Sequence, residues 1–479
     1  MRKAIKDLII LALILATGIF YIATIRQGHN WGGDFSMYIH HAKNIAEGIN
    51  YKYTGYIYNP FNGGVGPRTY PPIFPILLSP VYKLYGLNLR VMKIEIILMF
   101  LAFVTAFFLI FKKEVQFKYM AAMILILGLF PSFWDFKDNV VSDIPFIFLL
   151  YLSFLFIHRL YESGKPKKFL EYIIAGFLMY LCYGTRSIGI VLPLSFIIYS
   201  LIRYKKIDRF NIIALSAFTF FVILQSRFLH SDSSYFDMLV VNHKIIACNL
   251  FKHLRGFSIL LDNGYSRIIR GVLFVIGSIF AIYGYITRIR QRITLFEIFI
   301  VFYTVLVSVT IAGHRYLIPV IPLYVFYMFR GIETIASQRR KVGYLIFITM
   351  TTVFFISYAG KYSKMDYGAI SEGIAKKETI ELFEYIRNNT QKKDIFIFYK
   401  PRVLALYTDR SASVYHCPED DRELWDYFYK IGANYVIAGE PFEQDMIYLK
   451  PFLKRHSDNL QEVYNNRDFN VYRIIYNPS

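Results

Sequence analysis

Residues 2–34 read RKAIKDLIILALILATGIFYIATIRQGHNWGGD, and the fold is decided there. Arg2, Lys3 and Lys6 precede an apolar run, Ile9 to Ile25, about as long as a bilayer core is thick. The charge layout is that of a signal peptide. No small-residue cleavage site follows, however, and the run passes straight into Arg26, so it reads as a retained first span. Its basic flank sets the N-terminus in the cytoplasm. Trp31-Gly32-Gly33-Asp34 then opens the first segment on the other side.

The same pattern repeats along the 479 residues, of which 55% are hydrophobic. Apolar runs predict about eleven spans, near 8–26, 91–111, 118–135, 143–158, 169–185, 187–202, 210–228, 268–287, 294–312, 316–332 and 343–358. Basic clusters sit at Lys3/Lys6, Lys112/Lys113/Lys118, Lys165/Lys167/Lys168, Arg203/Lys205/Lys206/Arg209, Arg288/Arg290/Arg292 and Arg339/Arg340/Lys341. If the spans alternate, all of these clusters fall on one side, the cytoplasmic one. The other side receives the first loop, 27–90, a second loop, 229–267, and the C-terminal region. Ile73 to Tyr85 is too short to be a span and contains Pro75 and Pro80, so an interfacial or re-entrant helix is expected.

The net charge of +20 does not signal nucleic-acid binding. From Gly360 onward, 17 Lys and Arg face 18 Asp and Glu, so the excess lies in the membrane part, mostly in short connectors. Three cysteines without metal-like spacing make no disulfide framework.

The expected domains are 1–359, a helical membrane bundle, and 360–479, a small extracytoplasmic α/β domain. In the latter, helical periodicity in Glu372 to Asn388 and Asp421 to Ile431 alternates with strand-like Asp394 to Tyr399 and Asn434 to Ala438. Leu460 to Tyr464 and Asn470 to Tyr476 read as a hairpin.

Charged residues at the outer face carry the candidate chemistry. Asp34 precedes an amphipathic helix and suits either a helix cap or a general base. Asp138 lies in Lys137-Asp138-Asn139, and Asp143 opens the fourth span with Pro145 in its first turn. Arg186 and Arg315 sit in two tight hairpins between short runs, so both should be recessed below the surface. Charge at that depth is costly unless it is paired or faces a wet cavity. Guanidinium groups match phosphate oxygens, and a structural Arg–Asp pair is the competing role. His40, His41 and His314 are less specific candidates, as is Tyr70. Asp34 and Asp143 are also the carboxylates that would hold a divalent cation if one is bound; nothing in the chemistry requires it.

In order along the chain, Asp34 with its following helix, Tyr70-Pro71-Pro72-Ile73-Phe74-Pro75, Ser142-Asp143-Ile144-Pro145, Thr185-Arg186-Ser187-Ile188-Gly189 and Arg315-Tyr316-Leu317-Ile318-Pro319 resemble the GT-C glycosyltransferases. The nearest group is that of the protein O-mannosyltransferases, the lipid A aminoarabinose transferases and their bacterial relatives. The resemblance implies sugar transfer from a polyprenyl-phosphate donor to an envelope glycan, lipid or protein acceptor at the outer face of the cytoplasmic membrane. It also implies that Asp34 is the catalytic acidic residue of the first loop, acting as general base, and Asp143 the acidic position of the second outer loop. The O-mannosyltransferases carry an adjacent Asp-Glu pair, whereas Phe35 follows Asp34 here, which favours the broader bacterial group. Two other classes remain. A flippase for lipid-linked sugars predicts repeated halves and mid-span polar residues, and neither is seen. An envelope sensor or scaffold predicts a cytoplasmic signalling module, for which the inner loops are too short.

Overall fold

The structure, a computed structural model, describes residues 2–162, 168–228, 243–264, 266–309 and 314–476. These fall into two compact units. The first draws on 2–25, 93–228 and 243–367, the second on 26–92 and 368–476.

Among the described residues of the first unit, seven helices are long and apolar enough to cross a membrane. They are Ala4–Ala23, Leu89–Phe111, Asp143–Glu162, Ser187–Tyr204, Arg209–Arg227, Arg267–Gln291 and Arg340–Tyr362, the second of them beginning in the other unit. A helix is the form that satisfies its own backbone groups in hydrocarbon. The other expected spans are also helical, the one at 169–185 with the expected bounds and the rest with different ones. The run 118–135 breaks into Phe117–Gly128 and Pro131–Phe136 because Pro131 disfavours helical geometry at the residue before it. Phe169–Thr185, Leu295–Val309 and Ile321–Gln338 account for the runs near 169, 294 and 316. Helices Arg267–Gln291 and Ile321–Gln338 touch backbone to backbone. A Cβ added at Gly284 would lie 2.0 Å from the Tyr327 carbonyl oxygen, and one at Gly331 2.2 Å from that of Phe280.

The two ends of this unit differ in chemistry. At one end Arg288 grips Glu114 with both terminal nitrogens, at 2.6 and 3.0 Å, and Arg292 reaches Glu162 at 2.7 Å. Lys112 pairs with Asp7 at 2.8 Å, and Arg330 with Glu333 at 3.0 Å. Connectors expected on one side of the membrane are thus tied together. Asp143 lies at the far end of the same helix as Glu162, about 30 Å away by helical rise.

The second unit is built on a six-stranded sheet. Its strands are β1 (Tyr56–Ile57), β2 (Ile395–Ile397), β3 (Ser411–Ser413), β4 (Tyr435–Gly439), β5 (Leu460–Asn465) and β6 (Phe469–Ile474), in the order β1-β3-β2-β4-β6-β5. The first four run parallel, and β6 is antiparallel to β4 and to its hairpin partner β5. Helices Asp421–Ile431 and Lys450–Arg455 bury Leu424, Phe428 and Phe452 against Ile397 and Val436.

β1 comes from the first loop, pairing Tyr56 with Ala412 and Ile57 with Ser413. The first loop, expected as part of a membrane domain ending at 359, therefore folds with the C-terminal residues. Trp31 fixes its start by standing edge-on to Phe442, Phe398, Phe383 and Phe469, the nearest ring centroid at 5.3 Å. The helix Gly33–Glu47 follows and stops at Gly48, whose φ of 71° suits a left-handed cap. The segment 73–85 is a helix with Ile76, Leu84 and Tyr85 exposed, as an interfacial helix requires. Replacing Trp31 with Ala should destabilise the second unit by about 3 kcal/mol. Earlier proteolysis of residues 26–92 and 368–476, with the membrane helices intact, is the expected readout.

Candidate functional site

Asp34 stands in the first turn of Gly33–Glu47, where the helix dipole favours a negative charge. The N-cap position of that helix is Gly32, so Asp34 does not stand at the cap. Instead the Tyr70 hydroxyl donates to Asp34 Oδ1 at 2.7 Å, and Arg402 Nη1 donates to that hydroxyl at 2.6 Å. Arg402 Nη1 itself lies 3.9 Å from Asp34 Oδ1. The side-chain exposures separate the roles: 37% for Asp34 and 1% for Arg402. The carboxylate can meet a substrate, and the guanidinium can only support it.

Arg402 is held through both terminal nitrogens. Its Nη2 donates to the Pro67 carbonyl at 2.7 Å, and its guanidinium lies over the rings of Tyr56 (4.8 Å) and Tyr70 (5.0 Å). Gly66, at φ 94°, lets the chain pass; a Cβ there would come within 3.1 Å of Arg402 Nη2. The nearby anion and phenols hold the Arg402 pKa above its ordinary value despite burial, so the group stays charged. Nothing in the sequence singled out Arg402. It belongs to the helix Pro401–Thr408, whose Pro at the first position was the available signal.

Of the candidate histidines, His41 uses both ring nitrogens on the backbone. The Tyr70 N–H donates to Nε2 at 3.3 Å, so the proton sits on Nδ1, which donates to the Tyr51 carbonyl at 2.9 Å. Burial pushes the pKa of His41 down to about 3, and that of His40 to about 4. Both are neutral at ordinary pH, and His41 fixes the backbone of Tyr70.

In the first unit Asp143 is not a solitary carboxylate. Its Oδ1 lies 2.6 Å from Arg186 Nη1, and its Oδ2 3.3 Å from Arg315 Nη2. The expected recession of both arginines is met in Arg186, with 11% side-chain exposure, while Arg315 keeps 35%. Tyr316 lies beside both guanidinium groups, at 4.8 and 5.9 Å. The Tyr303 hydroxyl donates to the Tyr316 carbonyl at 2.7 Å, fixing that turn. Asp138 is fully buried, with Lys137 Nζ at 2.6 Å and Lys93 Nζ at 3.7 Å; Lys93 is a second charged residue the sequence did not single out. The backbone of His314 opens the helical turn that carries Arg315, and its side chain lies outside the described residues.

Asp34 and Asp143 belong to different units. Among the described residues, no group of three or more His, Cys, Asp or Glu side chains is arranged to hold a metal ion.

Neither a family profile nor a curated protein sequence matches the chain. Solved structures do. The crystal structure of ArnT from Cupriavidus metallidurans bound to undecaprenyl phosphate superposes with a TM-score of 0.60 at 12% identity, over 98% of this chain and 97% of that one. The same protein in the apo state gives 0.62 at 12% identity, over 99% and 98%. The archaeal oligosaccharyltransferase AglB from Archaeoglobus fulgidus, in complex with an inhibitory peptide and a dolichol-phosphate, gives 0.59 at 10% identity, over 91% and 70%. Both are GT-C proteins, so the fold expected from the sequence is the fold the chain has: a polytopic membrane bundle with a small mixed-sheet unit.

The bridge through Tyr70 makes a specific forecast for stability. Tyr70→Phe removes one hydroxyl and leaves the Arg402 charge buried beside an apolar ring, a loss of about 2 kcal/mol. Arg402→Gln should not add its full effect to that of Tyr70→Phe, because the two groups share one hydrogen bond. Additive losses in thermal unfolding of the single and double variants would contradict the bridge.

Proposed function

We propose that the chain transfers a sugar, a hexose or a pentose, from a polyprenyl-phosphate donor to an envelope acceptor on the outer face of the cytoplasmic membrane. The observation that carries this reading is the Asp34 carboxylate, one-third exposed and held by Tyr70 and Arg402, in a chain that shares the ArnT fold along nearly its whole length.

The reaction follows from the residue types. Asp34 takes the proton of the acceptor hydroxyl as its oxygen attacks the anomeric carbon of the donor sugar. The bond from that carbon to the phosphate oxygen breaks, and the electron pair leaves with the polyprenyl phosphate. A phosphate departs as an anion and needs no protonated partner. A cation that stabilises the developing charge is what it needs. Arg315 is the better placed of the two arginines for this, since it is more exposed and lies farther from Asp143. Arg186, close against Asp143, holds the turn. Asp143 then positions the arginines and has no proton to move.

The orientation has its own support. The basic connectors gather at the Arg288–Glu114 end of the first unit, and Asp143, Arg186 and Arg315 at the opposite ends of its helices. With the basic end in the cytoplasm, the arginines lie at the outer face. Soluble nucleotide sugars are cytoplasmic, so a site there calls for a lipid-linked donor. The ArnT and AglB structures that contain undecaprenyl phosphate and dolichol-phosphate accord with that donor class.

The test uses purified protein in liposomes, radiolabelled polyprenyl-phosphate sugars and an extract of envelope acceptors. Transfer from at least one donor is expected. Asp34→Asn should lower kcat about 10²- to 10⁴-fold with the protein still folded, and Arg315→Lys should raise the KM for the donor. Full activity in Asp34→Asn would remove it as the base, and no transfer from any donor would overturn the reading.

A further inference from the structure

The helix His243–Phe257 is amphipathic in an unusual sense, because two of its polar side chains point into the protein. Asn249 and His253, one turn apart, are both buried. Asn249 Nδ2 donates to the Ser308 carbonyl at 3.3 Å, and His253 Nε2 to the Val307 carbonyl at 3.2 Å. Those carbonyls belong to the last turn of the apolar helix Leu295–Val309. The helix His243–Phe257 therefore packs against the end of the apolar helix Leu295–Val309, which the sequence reading puts at the depth where hydrocarbon gives way to headgroups.

Its outward residues suit that depth. Ala247, Cys248, Leu250 and Phe251 are exposed, with Phe251 at 75%. Lys252 and Arg255 are exposed beside them, and the helix carries no Asp or Glu. The nearest acidic residue downstream, Asp262, is held by Lys361 at 2.9 Å and Arg270 at 3.6 Å, so it does not cancel the basic edge. The next helix, Arg267–Gln291, opens with Ile268 and Ile269 exposed, extending the apolar surface into a span.

We propose that the outward face of His243–Phe257 lies on an anionic bilayer surface, with Leu250 and Phe251 among the upper acyl segments and Lys252 and Arg255 among phosphate headgroups. Apolar side chains sink just below the headgroups while long cationic ones reach back to them. The basic edge selects anionic over zwitterionic lipid. The same helix adjoins the turn His314–Leu317, so the bilayer would brace the segment that carries Arg315. The placement is independent of what the chain transfers.

Cys248 is a native exposed thiol on this face, Cys182 is buried, and Cys417 is the other exposed one. In the full chain carrying Cys417→Ser, a spin label on Cys248 can be read in nanodiscs of phosphatidylglycerol and of phosphatidylcholine. Its relaxation should respond to oxygen far more than to a water-soluble nickel chelate, relative to a label on Cys417 in the Cys248→Ser chain. In phosphatidylglycerol, the Lys252→Gln/Arg255→Gln variant should shift that ratio toward the chelate and erase the difference between the two lipids. Chelate access equal to that at Cys417 would overturn the proposal. So would exclusion of both reagents, which would mean that protein, a second copy or another chain, covers the face.

Discussion

The Arg402 guanidinium is a charge buried to 1% exposure, and such a charge persists only where partners surround it. Every partner it has in the structure comes from the first loop: the Tyr70 hydroxyl, the Pro67 carbonyl, and the rings of Tyr56 and Tyr70. Arg402 itself lies more than 300 residues downstream. The first loop and the C-terminal residues therefore fold as one body, which the edge strand β1 and the Trp31 contacts reinforce. Asp34 owes its aim to that arrangement. Its oxygen is held by a tyrosine whose hydroxyl is set by Arg402 and whose backbone is set by a neutral His41.

The membrane unit meets the same constraint differently. Two arginines share the carboxylate of Asp143, and the more exposed of them has the looser contact. The Arg186 contact, at 2.6 Å, is the tighter of the two, and the Arg315 guanidinium also lies near the Tyr316 ring. In each unit a charged group is therefore held by partners of opposite or complementary charge, Asp34 by Tyr70 and Arg402 and Asp143 by its two arginines.

Much of this was legible in the sequence, because the bilayer imposes lengths and charge asymmetry that survive any drift in residue identity. The spans near 91–111, 143–158 and 343–358 appear as helices within a few residues of their expected bounds. The helix 73–85 and the hairpin of β5 and β6 were likewise read from local pattern. Boundaries failed where a helix broke at Gly128 and Pro131, whereas the short run before the tight hairpin at Arg186 is a helix with the expected bounds. In the candidate site, Asp34, Tyr70, Asp143, Arg186 and Arg315 stood next to recognisable loop starts. Arg402 and Lys93 did not, since each matters only through a partner distant in sequence. Likewise Tyr56–Ile57 is too short for its alternation to mark a strand before its neighbour is known.

The central claim is that Asp34 acts as a base and never as a nucleophile. The anomeric configuration of the product decides this most directly. NMR of the transferred sugar, compared with the donor, should show inversion, as a single displacement by the acceptor hydroxyl demands. Retention of configuration would mean a covalent or otherwise doubled displacement, and would contradict the role given to Asp34.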